Sequence, residues 1–318
     1  MDNTIDEREL CRCFSSKNFL IPTRQICDLH ALVDEWIQTN SCGGIIYGPS
    51  RCGKTSAIYY VTQTLKKTYG SELPVFCYTS TTHTVTQRSF YESILLLLGH
   101  EIPSRGTANQ MRERIINRIT MLALETKYQM AILWIDEANT LDYKEYLWLI
   151  DLYNGLYDND IQLTCILVGT RDLLEQKKGY IRSGQQQIVQ RFLLKEAEFH
   201  GIESLTDLTI CMNSLDNAFK PSGLKSTICL SEYYFPHAYS DGKMLSDYAQ
   251  QLWTAWQNLR KKSNIGVEYM TMKCFMDTIS YCLRKYGANA NEEKRVYAPT
   301  IAEWETSLIQ SGYVSSQV

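Results

Sequence analysis

Gly48-Pro49-Ser50-Arg51-Cys52-Gly53-Lys54-Thr55 satisfies every fixed position of the phosphate-binding pattern G-x-x-x-x-G-K-[ST]. Its flanks have the order that this chemistry needs. Apolar Ile45-Ile46-Tyr47 precedes it and reads as a short buried strand, while Ile58, Val61 and Leu65 recur at helical spacing over residues 56–67. The two glycines let the backbone turn its N–H groups toward phosphate oxygens, and the helix N-terminus adds a partial positive charge. The nucleotide-binding set is therefore Gly48, Pro49, Ser50, Arg51, Cys52, Gly53, Lys54, Thr55 and Ser56. Lys54 is expected to reach the β- and γ-phosphates of ATP, and Thr55 to hold Mg²⁺.

Outward from this loop, the pattern alternates. Residues 73–78 (LPVFCY) read as a strand, 89–98 as a helix with a very apolar face, and 109–125 as a helix with Met111, Ile115, Ile119 and Leu122 inward. Residues 130–135 form a continuous apolar strand, 143–153 an aromatic-rich helix and 163–168 another buried strand. A short helix over 185–192 leads to a last strand near 193–199. Upstream, Thr23 reads as the N-cap of a helix carrying Ile26, Leu29, Val33 and Trp36. Apolar rather than alternating strands, separated by helices, predict an α/β fold with a parallel sheet covered on both faces. Helices over 205–219, 244–262 and 270–286 follow. The predicted organisation is a lead-in over 1–22, an ATPase core over 23–203, a smaller helical lid over 204–287 and a tail over 288–318.

The chain's charge is −3, so its overall field does not attract nucleic acid, and any such contact must come from a local patch. No run of eighteen apolar residues is present, which argues against a spanning helix and a membrane partner. The acidic, polar start is unlike a secretory signal, and the eleven cysteines lack a paired C-x-x-C, so they read as reduced thiols of a cytoplasmic protein. Cys11 and Cys13 read as incidental neighbours.

A second constellation is Ala131-Ile132-Leu133-Trp134-Ile135-Asp136-Glu137, an apolar strand ending in two carboxylates. Asp136 at a strand's carboxyl end is placed to position Mg²⁺, and Glu137 to polarise the attacking water. Leu167-Val168-Gly169-Thr170 ends the next strand on a hydroxyl. Thr170 either hydrogen-bonds that water or the γ-phosphate, or caps the following segment; both readings stay open. Gln190-Arg191-Phe192 precedes the last strand, and Arg191, with Arg182 as second choice, is the candidate arginine supplied to a neighbouring subunit's phosphates.

Taken together, these motifs resemble those of AAA+ ATPases over residues 20 to about 260, and more closely those of the TniB/TnsC group that regulates DNA transposition. The closer likeness is carried by the segment from Ile21-Pro22 to Leu29-His30, and by Trp134-Ile135-Asp136-Glu137-Ala138, Leu167-Val168-Gly169-Thr170-Arg171 and Val189-Gln190-Arg191-Phe192. The resemblance implies an ATPase that forms head-to-tail rings or helical filaments around duplex DNA. Such proteins recruit a DDE transposase and a TniQ-like target-selection protein, and hydrolysis dismantles the assembly. Carried over by position, Gly48, Gly53, Lys54 and Thr55 bind nucleotide and Mg²⁺, Asp136 and Glu137 serve hydrolysis, and Arg191 acts in trans. The family's lid-sensor arginine falls in Gly242-Lys243-Met244-Leu245-Ser246, where Lys243 is the candidate substitute. DNA contacts are expected from Arg88, Arg105 and Thr107, in loops that also hold Thr84, Thr86, Gln87 and Ser104. Two other classes remain open. One is another AAA+ protein, such as a helicase or clamp loader or an origin-binding protein. The other is a P-loop kinase or signalling NTPase without DNA.

Overall fold

The computed structural model describes residues 20–81, 85–218, 229–287 and 299–314. Cys11, Cys13 and Thr84 lie outside them, as do most of the lead-in and residues 288–298 and 315–318 of the expected tail.

Five strands, β1 (Gly43–Tyr47), β2 (Val75–Thr79), β3 (Met130–Asp136), β4 (Gln162–Gly169) and β5 (Lys195–Glu198), pair in parallel in the order β2-β3-β4-β1-β5. All of β3 and all of β4 except Gln162 are buried, which explains their unbroken apolar runs. β5 has the sequence KEAE and sits at an edge, so both of its faces tolerate charge. Lys177 Nζ pairs with Glu196 at 2.7 Å, Arg171 pairs with Glu198, and Lys195 Nζ donates to Thr39 Oγ1 at 3.0 Å. Because the strand order interleaves early and late segments, β1 lies between β4 and β5.

The longer helices between residues 24 and 182 are α1 (Arg24–Gln38), α2 (Lys54–Tyr69), α3 (Gln87–Leu97), α4 (Ala108–Leu124), α5 (Tyr143–Tyr157) and α6 (Asp172–Arg182). Their starts are chemically specified. Thr23 Oγ1 accepts from the Ile26 N–H at 3.3 Å, and Thr86/Ser89, Thr107/Gln110 and Asp142/Glu145 form reciprocal capping boxes. Gly70, at φ 109°, ends α2. The expected helix over 185–192 is one short turn, Gln186–Ile188, followed by a π-helical turn, Val189–Leu193. Phe90, Tyr91, Met111, Ile115, Tyr146, Leu149 and Phe192, all with zero exposure, pack with the inward side chains of the strands.

The Cα trace separates into two compact units. The first, Cys27–Ser50 with Ala57–Phe199, holds the sheet. The second joins residues up to 26, Arg51–Ser56 and the chain from His200. The second unit contains α7 (Leu205–Ala218), α8 (Ala249–Lys262), α9 (Met272–Tyr286) and α10 (Ile301–Gln310), with short helices between α7 and α8. Its core includes Trp256, Phe275, Ile279, Trp304 and Leu308. Asp216, fully buried in α7, accepts from the Ser231 N–H at 2.8 Å, from the Ser231 hydroxyl and from the Leu245 N–H at 3.2 Å. One carboxylate thereby satisfies donors on two later segments, which offsets its own desolvation.

The tail expected over 288–318 needs correcting. Residues 301–310 are helical, with Trp304 and Leu308 at zero exposure and a capping box between Thr300 and Glu303. The spacing Trp304 to Leu308 is one helical turn, too short a run to register as periodicity. Helix α6 was also absent from the sequence expectation; it buries only Leu173 and is polar around most of its girth.

Candidate active site

The site grows from the carboxyl ends of three adjacent strands. β1 delivers the phosphate loop, β3 delivers Asp136-Glu137 and β4 delivers Thr170. Parallel strands put these ends on one edge of the sheet, which is where open α/β sheets bind ligands.

Gly48 follows β1 directly, and its N–H donates to the Gly169 carbonyl at 3.1 Å, so the loop starts fastened to the end of β4. A Cβ built on Gly48 would lie 1.9 Å from the Phe199 carbonyl oxygen, so only glycine fits. Further along, Arg51 (φ 64°) and Gly53 (φ 102°) take left-handed backbone conformations. Such turns build the concave arrays of N–H groups that hold anions. Cys52 is fully buried and burial raises its thiol pKa, with Lys54 opposing. Lys54, Thr55 and Ser56 open α2, and Thr55 and Ser56 are exposed. Pro49 and Ser50 complete the loop.

Within the second unit, the segment Arg51–Ser56 meets the start of α9. The Lys273 N–H donates to the Arg51 carbonyl at 3.2 Å, and Met272 Cγ stands 3.4 Å from a Cβ built on Gly53. Lys243, the residue expected in the lid-sensor role, is exposed beyond a short helix, with its N–H on the Ala238 carbonyl at 2.9 Å. Sequence reading had assigned no role to Met272 or Lys273.

Asp136 is 5 % exposed, and its Oδ1 accepts from the Glu137 N–H at 3.0 Å. Glu137 is exposed and left-handed (φ 54°, ψ 35°), a conformation that non-glycine residues rarely adopt and that turns the chain sharply after β3. The turn is pinned. Thr140 donates through N and Oγ1 to the Glu137 carbonyl at 3.0 and 2.8 Å, Thr140 Oγ1 meets Ser80 Oγ at 2.7 Å, and the Ser80 N–H donates to the Asp136 carbonyl at 2.9 Å. Thr170 Oγ1 donates to Asp172 Oδ2 at 2.8 Å, a hydrogen bond in the first turn of α6, while its N–H donates to Asn139 Oδ1 at 3.1 Å. Ser80 and Asn139 escaped sequence reading because their contacts cross between strands.

Arg191 lies, half-buried, in the π-helical turn, with Nη2 3.4 Å from Asn154 Oδ1. Arg182, the second choice, is exposed in the last turn of α6.

The three expected DNA contacts lie around one loop. Arg88 Nη2 donates to the Ser104 carbonyl at 2.6 Å. Arg105 is exposed, and its carbonyl accepts from Arg114 Nη1. Thr107 is the N-cap of α4, with its oxygen accepting from the Gln110 N–H at 3.4 Å. Arg114 also donates to the Ile102 carbonyl at 2.6 Å and contacts the His100 ring. This arginine therefore shapes the loop, and a cavity of about 670 Å³ is lined there by His100, Ile102, Arg105, Asn109 and Arg114.

Thr55 and Asp136 carry oxygen donors of the hard type that Mg²⁺ takes, and Asp136 Oδ1 also accepts from the Glu137 N–H. Among the described residues there is no group of three or more His, Cys, Asp or Glu able to hold a metal ion, and no helix long and apolar enough to cross a membrane.

A family model described as an AAA domain matches residues 39–176. Among solved structures, the chain is similar to the Aeropyrum pernix ORC2 protein in its ADPNP-ADP complexes, with TM-score 0.57 and 12 % identity over 94 % of this chain and 71 % of that one. It also aligns with a structure of Drosophila ORC bound to AT-rich DNA and Cdc6 (TM-score 0.46, 10 % identity, 88 % and 40 % covered) and with AMPPCP-bound DnaA from Aquifex aeolicus (TM-score 0.40, 13 % identity, 94 % and 90 % covered). No protein with a curated description matches. The fold is AAA+: a five-stranded parallel sheet with helices, followed by a helical region.

Proposed function

We propose that this chain is an ATP-hydrolysing regulator of DNA transposition that assembles head to tail on duplex DNA, recruits a DDE transposase and a TniQ-like targeting protein, and disassembles on hydrolysis. The observation that carries the ATPase part is the phosphate loop leaving β1 on the same sheet edge as Asp136-Glu137. The transposition part is supported by the TniB/TnsC-like motifs around Trp134, Leu167 and Val189.

In this reading the loop from Gly48 to Ser56 wraps the phosphates and Lys54 neutralises the β- and γ-oxygens. Thr55 and Asp136 are the residues that would hold Mg²⁺, which would supply charge neutralisation. Glu137 takes the proton of the attacking water. The left-handed turn at Glu137 holds that carboxylate out of the buried strand end. Thr170 senses the γ-phosphate by exchanging its Asp172 hydrogen bond, and Lys243 contributes from the lid. Arg191 reaches the phosphates of the adjacent subunit, where spreading negative charge rewards a planar guanidinium. Arg88, Arg105 and Thr107 donate to backbone phosphates, which positions the protein without reading sequence.

The test is negative-stain imaging with duplex DNA, with and without a slowly hydrolysed ATP analogue. Filaments or stacked rings that need both components are expected. Discrete particles indifferent to DNA would sink the proposal, and binding confined to one DNA sequence would favour an origin-binding protein.

A further inference from the structure

The end of β4 and the turn after β3 are joined by one side chain. Asn139 Oδ1 accepts the Thr170 N–H at 3.1 Å. Asn139 sits three residues beyond Asp136 and two beyond Glu137, in a 3₁₀ turn, Ala138–Thr140. Its carboxamide thus links the chain segment carrying both carboxylates to the residue that directly follows the neighbouring strand.

Two features hold the link in place. Gln176 of α6 donates through Nε2 to the Asn139 carbonyl at 2.7 Å and to the Leu141 carbonyl at 3.2 Å, while its Oε1 accepts from the Tyr146 hydroxyl at 3.3 Å. The Asn139 backbone is therefore fixed from the helix that begins just after Thr170. Gly169 supplies the space: a Cβ there would stand 2.5 Å from Asn139 Oδ1. Any larger residue drives the carboxamide away from the Thr170 N–H.

A bond that only closed off a backbone donor could come from water at this partly exposed turn. Here instead the segment after β4 meets the Asn139 carboxamide while α6 holds the Asn139 main chain, at the edge where water and γ-phosphate must align. We infer that Asn139 is a positioning residue for ATP hydrolysis, locking the Asp136-Glu137 turn to Thr170, with Gln176 as its support. The inference rests on the ATPase reading. It assigns Asn139 no contact with the nucleotide; the residue sets the spacing between groups that have one.

The experiment compares wild type, Asn139→Ala, Asn139→Asp and Gly169→Ala as full chains. It measures kcat and KM for Mg·ATP, affinity for a fluorescent ATP analogue, and Tm. Asn139→Ala should lower kcat by about 10- to 100-fold, the order expected when reacting groups drift by about 1 Å. Its KM and analogue affinity should stay within about twofold, because the phosphate loop is untouched. Asn139→Asp keeps the oxygen acceptor and should recover at least about threefold over Asn139→Ala. Gly169→Ala, which leaves Asn139 chemically intact, should reproduce the kcat loss. Wild-type kcat in Asn139→Ala overturns the inference, as does an Asp variant no better than the Ala variant. A KM rise at constant kcat also overturns it. If Asn139→Ala unfolds, Asn139→Asp and Gly169→Ala decide. A wild-type protein that binds the analogue without hydrolysing it overturns the ATPase reading itself, a separate failure.

Discussion

Gly48→Ala tests the geometry of the loop entrance most directly. The backbone at Gly48 is not left-handed, so the substitution introduces no conformational strain of its own. What it introduces is a methyl group 1.9 Å from the Phe199 carbonyl oxygen and 3.0 Å from its carbon. Both obstacles are main chain, and the oxygen must retreat by roughly 1 Å before the contact becomes tolerable. Phe199 is 4 % exposed, and its N–H donates to the Tyr47 carbonyl at 2.8 Å, the last link between the end of β5 and β1. Moving that segment costs about 1 kcal/mol for the hydrogen bond and about 1–3 kcal/mol for the overpacked contact. A total of about 3 kcal/mol lowers Tm by about 6–12 °C in a unit of this size. Nucleotide affinity should fall at the same time, since the loop leaves β1 at this residue. The assay is thermal unfolding followed by circular dichroism, with fluorescent-nucleotide titration. Gly179→Ala is the control. It lies within α6 with nothing within 4 Å of the added carbon, so it should leave Tm unchanged or slightly raised. A Gly48→Ala protein with Tm within about 1 °C of wild type and full nucleotide affinity would refute the reasoning.

Four further outcomes are expected. Burial raises the Glu145 carboxyl above its ordinary range. Its favourable share of stability is complete below the unfolded glutamate pKa and is lost as pH rises through the folded value. Glu145→Gln should thus match wild type near pH 4 and exceed it near pH 8 in urea midpoint. Trp304→Ala should cost about 3–5 kcal/mol and collapse near-ultraviolet signals of the helical unit, and truncation before residue 299 should do the same. Arg191→Ala loses only a long, exposed contact to Asn154, so Tm should hold within about 2 °C while DNA-stimulated ATPase falls by about 10³-fold; mixing it with Lys54→Ala should restore turnover if the arginine acts in trans. Arg114→Ala releases the Ile102 and Arg105 carbonyls and should weaken DNA binding, measured by anisotropy at low salt, as much as Arg105→Ala does.

The parallel sheet was legible because β3 and β4 are buried on both faces, and such strands must be written in uninterrupted apolar residues. The loop between β1 and α2 was legible because its glycines stand at fixed spacing between an apolar strand and a helix. Helix α6 was not, since a segment that buries little more than Leu173 leaves no stripe to detect. Helix α10 left one usable sign, the Thr300-x-x-Glu303 capping box, which outweighs the brief apolar pattern after it. The order of the strands and the Asn139–Thr170 link had no local signature, because each joins residues distant in sequence. Arg88 reads from sequence as a basic side chain in a loop, and Arg114 as one on the helix that follows. In the fold both also serve as braces for the loop backbone.

The charged edge strand has a consequence for polymerisation. Lys195, Glu196 and Glu198 crowd β5, and two of its carboxylates are tied to Arg171 and Lys177. A second molecule trying to continue the sheet there would have to strip water from those ions. Main-chain pairing between two copies is therefore disfavoured at that border.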